Sequence, residues 1–366
     1  MSEKAPSSSA ARGARPGLGR TLALLTLVLL GASLWYLCIG SVETTVRDVG
    51  AALFQPGAEG GSLIHETVVR QIRLPRLLGA LLIGAALTLS GALLQGLFRN
   101  PLADPALIGV SSGAAMGAVL AIVGLPLLAH LLPAAAGQVL NWFGLPLLAM
   151  LGAVGLTFLI YRLSLVRGRT HVPSMLLTGI AVNAVGGAFV GLMVTVFATD
   201  EQLRTITFWT LGSLSGLNWT HTATIAAIVA VPLILSLRQA RALNALLLGE
   251  TEAHHLGVRV QQVKRRVIVL SAVMVGITVA FCGIIGFVGL VVPHIVRTVI
   301  GPDHRLLLPA GSLLGAVILL AADGLARILL APAELQIGIL TSLLGGPFFL
   351  ALLLRARRGG LAMSTS

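Results

Sequence analysis

Asp323 and Arg327 stand four residues apart inside an otherwise apolar run, AVILLAADGLARILLAP. A lone charge at the centre of a membrane costs about 2.5–3.5 kcal/mol on insertion scales. Such a pair therefore either neutralises itself or serves an ion or proton pathway. The i, i+4 spacing puts both groups on one helix face, so mutual neutralisation is the default reading. A proton- or ion-coupled carrier would need a relay of Asp, Glu or His within its other apolar runs, and none supplies one. Phosphate chemistry fares no better, because a P-loop needs a Gly-Lys pair. The chain's lysines, Lys4 and Lys264, follow Glu3 and Val263, so the chain is not its own ATPase. No His-Glu-x-x-His set occurs, and Cys38 and Cys282 amount to neither a zinc set nor a disulfide framework. No catalytic residue and no metal ligand is assigned.

One polar segment is built differently. ALNALLLGETEAHHLGV, residues 242–258, divides into two short helical pieces, 243–248 and 251–256, around Gly249-Glu250, and Gly257 stops the second. Short amphipathic helices of this kind either lie on a membrane face as interfacial caps or form a rigid plug for a groove on a partner.

The elements that must carry these groups follow from composition. Of the 366 residues, 56% are apolar and 10% charged, against about a quarter charged in a soluble domain. Too few charges exist to cover a soluble body of this size. With 43 Gly and only 2 Tyr, the aromatic girdles of an outer-membrane barrel are missing as well. The chain reads as an all-α polytopic membrane protein. A flexible tail over 1–20 precedes apolar runs at 21–40, 73–98, 105–124, 143–164, 173–198, 219–237, 266–283, 306–328 and 335–354. A shorter stretch at 286–300, broken by Gly289 and Pro293, makes ten spans. A second tail occupies 356–366.

The net charge of +12 is a record of orientation. With both termini cytoplasmic, nineteen of the 25 Lys and Arg fall on the inner side, as the positive-inside rule requires. Arg47, Arg70, Arg73, Arg76, Arg204 and Arg327 remain outside. Trp35, Trp142, Trp209 and Trp219 fall near the outer interface. No nucleic-acid partner is needed to explain the basicity. Gly109, Gly113 and Gly117, Gly187 and Gly191, and Gly311 and Gly315 recur four apart, a spacing that lets membrane helices pack closely. Spans two to five and seven to ten have opposite orientations, the pattern of inverted-repeat-like halves.

Long stretches of the chain closely resemble the FecCD-type permeases of ABC importers, which carry vitamin B12, ferric siderophores and haem. The resemblance rests on residues 73–114 (RLPRLLGALLIGAALTLSGALLQGLFRNPLADPALIGVSSGA), 246–258 (LLLGETEAHHLGV), 286–294 (GFVGLVVPH), 301–311 (GPDHRLLLPAG) and 323–355. It covers residues 21–355, the expected permease domain. It implies two copies of the permease, two cytoplasmic ATPase subunits that bind ATP and Mg, and a periplasmic substrate-binding protein, all at a bacterial inner membrane. This chain itself would bind no cofactor.

The resemblance also implies roles for residues. Arg73, Arg76 and Arg327 match outward arginines that pair with glutamates of the binding protein. Gly249, Glu250, Ala253, Leu256 and Gly257 match the coupling helices seated in a cleft of the ATPase. Asn100 and Leu102, flanking Pro101, and His171, Val172 and Pro173 match the turns that narrow the cytoplasmic mouth. The last three depart from the small hydroxyl residues of the B12 permease. FWTLGSLSG (208–216) and the 73–114 block look most like haem permeases, which puts haem first as cargo, ahead of a ferric siderophore and cobalamin. Of the histidines, only His171 is placed to meet cargo.

Overall fold

The computed structural model describes residues 17–55, 63–129, 134–331 and 333–363, and within these only the backbone of 127–129, 134–139, 141–142, 352–353 and 355–363. In chain order the helices are α1 (Leu18–Cys38), α2 (Val46–Phe54), α3 (Leu63–Thr67), α4 (Leu74–Phe98), α5 (Val110–Ala129) and α6 (Ala134–Leu163). They continue as α7 (Val172–Phe197), α8 (Asp200–Thr210), α9 (Trp219–Leu237), α10 (Ala240–Leu247) and α11 (Glu250–His255). The last four are α12 (Val260–Cys282), α13 (Val288–Val299), α14 (His304–Leu329) and α15 (Ile337–Met363). A π-helical segment, Val68–Arg73, joins α3 to α4, and a 3-10 turn, Pro105–Ile108, precedes α5. A two-stranded hairpin, β1 (Leu165–Val166) and β2 (Arg169–Thr170), separates α6 from α7.

Among the described residues, seven helical stretches are long and apolar enough to cross a membrane, and three shorter apolar helices (Val110–Pro126, Val288–Val299 and Ile337–Ala351) accompany them. Together they fall on the ten runs expected from sequence. The protein is an all-α polytopic membrane protein. The tail expected over 1–20 lies outside the described residues up to 16, and 18–20 already belong to α1. The tail expected at 356–366 is helical as far as Met363, with the remainder outside the described residues. The side chain of Trp142 is likewise outside them.

α4 is the axis of the fold. Its apolar residues run around the whole circumference, as expected of a helix enclosed on every side. In its span 78% of the most apolar window is buried, against 6% for α7. Lipid gives no hydrophobic drive for one helix to bury another, so close backbone contact has to do the work. A Cβ at Gly91 would run into the Gly289 carbonyl of α13, and one at Gly84 into Gly315 of α14. Gly113 and Gly117 of α5 lie in the same way against Gly152 and Leu148 of α6. Gly187 and Gly191, by contrast, face open space on α7.

Several connections were not legible as apolar runs. Thr45 and Asp48 form a reciprocal capping box that starts α2, and Thr199 and Gln202 do so for α8. Arg167 and Gly168, both at positive φ, make the tight turn of the hairpin. In the 242–258 segment, Gly249 (φ +124°) and Gly257 (φ +81°) take up conformations that side-chain-bearing residues avoid. They turn the chain sharply before and after α11, close to the boundaries expected.

Candidate functional site

Two clusters of charge lie at opposite ends of the bundle. At the first, the C-termini of α1 and α14 meet the N-terminus of α4. Arg76 donates from Nε and Nη2 to the two carboxylate oxygens of Asp323, both at 2.9 Å. Its Nη1 reaches Glu334 Oε2 at 2.9 Å. Tyr36 donates its hydroxyl to Asp323 at 2.5 Å. The guanidinium fork matches a carboxylate in geometry as well as charge, and Asp323 is only 1% exposed. The expected pairing of Asp323 with Arg327 is therefore corrected. Arg76 arrives from α4 in bidentate register, while Arg327 turns away and lies over the Tyr36 ring at 5.0 Å. Arg327 makes no ion pair among the described residues, and its buried Nη1 has no hydrogen-bond partner.

Arg73 completes this cluster from the π-helical segment. It is 1% exposed and donates to the carbonyls of Leu37 at 2.6 Å and Val42 at 2.5 Å, and to the Thr44 hydroxyl. Gly40 lies against the tips of both Arg73 and Arg327, where a Cβ would collide with them. Three guanidinium groups against two carboxylates leave one positive charge uncompensated. Glu334, half exposed, is the more accessible of the two acids. Tyr36 and Glu334 were not singled out from the sequence. Glu334 carried a signal, being the acid of a short loop after the last turn of α14.

The second cluster joins the hairpin, α11 and α12. Lys264 is 2% exposed, and its Nζ lies 2.7 Å from Glu250 Oε1 and 2.9 Å from the Thr170 carbonyl. Thr170 N–H donates to Gln261 Oε1 at 2.9 Å. The next residue, His171, caps α7, its Nδ1 accepting from Ser174 N–H at 3.4 Å. A cavity of about 560 Å³ opens here, bounded by Arg99, His171, Val172, Pro173, Glu250 and Lys264.

This cavity brings His171, Val172 and Pro173 to the same place as Glu250, which sequence assigned to a different role. Asn100 and Leu102 are not on its wall. They form a local turn in which the Asn100 side chain accepts from Leu102 N–H at 2.9 Å, and Arg99, next to them, is the residue that reaches the cavity. Ala253 is buried, whereas Leu256 is 64% exposed and Gly257 opens onto free space. α11 thus presents an apolar side chain and a bare backbone at its tip. Lys264 entered from the sequence only as a lysine outside any P-loop and as an inner positive charge. A lysine on the apolar face of a helix was the available signal.

Away from the clusters, Asp104 caps the 3-10 turn, accepting from Ala106 N–H at 2.7 Å, and burial pushes its carboxyl above the usual range.

Comparison with known proteins fits this architecture. The model of the FecCD transport family matches residues 25–355. The chain is 44% identical to the hemin transport permease HmuU of Yersinia pestis, over 93% of this chain and 98% of that one. It is 42% identical to the cobalamin permease BtuC of Halobacterium salinarum, over 79% and 73%, and 40% identical to the vitamin B12 permease BtuC of Salmonella typhimurium, over 93% and 96%. A metal-chelate type ABC transporter solved in an inward-facing conformation superposes with a TM-score of 0.77 at 34% identity, covering 92% of this chain and 99% of that one. The chain belongs to the FecCD transport family, and it is a permease of an ABC importer rather than an enzyme in itself.

Proposed function

We propose that this permease moves haem from a periplasmic binding protein into the cytoplasm, across a bacterial inner membrane, in an assembly of two permease copies and two ATPase subunits. The observation that carries the cargo reading is the 44% identity to a hemin permease along 98% of that protein's length. A second reading, cobalamin, is favoured by the 42% and 40% identities to B12 permeases. A ferric siderophore is the remaining cargo of this class. ATP and Mg belong to the ATPase subunits, and this chain binds neither.

The cluster of Arg73, Arg76 and Arg327 is the docking site for acidic groups of the binding protein. Its surplus positive charge and the unpartnered Arg327 Nη1 support this. Arg327 and Arg76 are the first to meet a docking carboxylate, and the acid on Arg76 takes the place of Glu334. Arg73, sealed behind the carbonyls of Leu37 and Val42, joins only if that loop yields. At the other end α11, with Gly249, Glu250, Ala253, Leu256 and Gly257, seats in the ATPase. His171, Val172 and Pro173, with the turn at Asn100 and Leu102, narrow the inner mouth. The exposed face of α7, with Gly187 and Gly191 open, supports close packing by a second copy. Uptake into proteoliposomes holding the permease, its ATPase and its binding protein, tested with haem, a ferric siderophore and cobalamin, decides the cargo. Haem accumulation that needs ATP is expected. Accumulation of cobalamin or the siderophore without haem overturns the haem reading, and uptake driven by a proton or sodium gradient without ATP overturns the mechanism.

A further inference from the structure

Lys264 is a buried cation in a place where helix formation alone would not put one. It stands in the second turn of α12, near a helix N-terminus that disfavours positive charge. Removing an ammonium from water costs several kcal/mol unless strong partners replace the solvent. Two partners do so, and they come from separate elements. Glu250 Oε1, at 2.7 Å, is on the first residue of α11. The Thr170 carbonyl, at 2.9 Å, is on the last residue of β2.

The consequence is mechanical. Both backbone groups of Thr170 are held by α12, the carbonyl by Lys264 and the N–H by Gln261. Thr170 is followed directly by His171, the cap of α7, so the entry to α7 is fastened to α12. The same ammonium fastens α11. One side chain therefore links the helix whose apolar tip faces outward to the residues that border the 560 Å³ cavity. A packed helix moves as a rigid body. A path from α11 to His171 runs through Glu250, Lys264 and Thr170 by contacts of 2.7 and 2.9 Å.

We propose that Lys264 is a positioning residue that transmits movement of α11 to the hairpin and His171, with Glu250 as its acidic partner. The inference rests on the reading of α11 as the seat of the ATPase. Its test uses the assembled transporter, permease with ATPase, and does not depend on cargo. Hydrogen exchange is followed in peptides covering 250–257 and 164–175, with and without ATP and vanadate. In the wild type both peptides respond to nucleotide. In Lys264→Met the 250–257 peptide still responds, while the nucleotide-dependent change at 164–175 falls about tenfold, the scale of a typical coupling energy. Lys264→Arg keeps most of it, and Glu250→Gln, which keeps an acceptor on the ammonium but removes the opposing charge, loses part of it.

A native response at 164–175 in both Lys264→Met and Glu250→Gln overturns the inference while leaving the seat of the ATPase intact. A wild-type 250–257 peptide that ignores both ATPase binding and nucleotide overturns the seat itself. If Lys264→Met does not assemble, Glu250→Gln and Glu250→Ala, which leave the Lys264 contact with the Thr170 carbonyl in place, decide. A native response at 164–175 in both counts against transmission and leaves Lys264 a structural residue.

Discussion

The two charged ends of the molecule are built on different arithmetic. Around Asp323, three arginines meet two acids, both acids are held by Arg76, and Arg73 and Arg327 each keep a buried nitrogen without a hydrogen-bond partner among the described residues. At Lys264, one ammonium meets one carboxylate and one carbonyl, and the charges of that pair balance. An unbalanced cluster holds affinity in reserve for an outside group of opposite sign. A balanced one has its affinity spent internally, on fixing its own elements to one another. The first arrangement suits reception of a partner and the second suits transmission of a movement.

Removing Arg76 tests this difference most severely. Arg76→Ala strands Asp323, 1% exposed, with only the Tyr36 hydroxyl. Breaking a buried ion pair from one side costs about 3–5 kcal/mol, so thermal unfolding in detergent should shift down sharply. Asp323→Asn added to Arg76→Ala should restore much of the loss, because no uncompensated charge remains. Glu250→Gln at the other end should cost less, since the amide oxygen can still accept from Lys264 Nζ and the Thr170 carbonyl stays on it. Comparable losses at the two ends would erase the distinction.

The receptive role is sharpened by Arg327→Gln. This change removes a charge that no acid among the described residues pairs with, so stability should move by only about 1 kcal/mol. Affinity for the binding protein, measured on nanodisc-embedded permease, should fall about tenfold at low ionic strength. The gap between wild type and variant should close as salt shortens the reach of the charge. Equal affinities at low salt would remove Arg327 from the proposed docking site. Glu334→Gln should act in the opposite direction. It frees Arg76 Nη1 from an acid that is half exposed and worth about 1 kcal/mol or less. Binding should tighten by up to about fivefold, and weaker binding would assign Glu334 to the partner's own contacts.

How far the sequence reaches is clear from these same residues. The spans were legible because hydrocarbon imposes one length and one polarity on every helix that crosses it. Even the short α13, broken by Gly289 and Pro293, followed from the side on which each arginine had to fall. The breaks at Gly249 and Gly257 were legible because glycine marks a backbone turn on its own. The partners of the charges were not. Asp323 and Arg327 satisfied a local rule, i, i+4, yet a guanidinium from α4, 247 positions earlier, won with better geometry. Lys264 and Thr170 are 94 positions apart, and no local pattern announces a contact between a side chain and a distant carbonyl. The hairpin and the capping boxes of α2 and α8 lie where apolar periodicity carries no information.

The smallest expected effect concerns the join between α10 and α14, at the balanced end. Asp303 caps α14 by accepting from Arg305 N–H at 2.9 Å, and it also accepts from the Asn244 amide of α10 at 2.6 Å. The Arg305 N–H, followed by the Asn244 amide, holds its carboxyl below the usual carboxylate range. A carboxyl depressed in the folded state contributes stability that is present above its unfolded pKa of about 3.9 and is lost as pH falls through the folded value. Asp303→Ala should therefore cost about 1 kcal/mol at neutral pH, the usual loss for a removed cap. The gap to wild type should stay constant down to about pH 4 and narrow below it. Asp303→Asn keeps a capping oxygen without the titration, so its stability relative to Asp303→Ala should not change over the same range. Unfolding midpoints of the three proteins between pH 7 and pH 3 check this. A gap between wild type and Asp303→Ala that persists unchanged to pH 3 would mean that cap geometry alone, and not the carboxylate charge, holds α10 to α14.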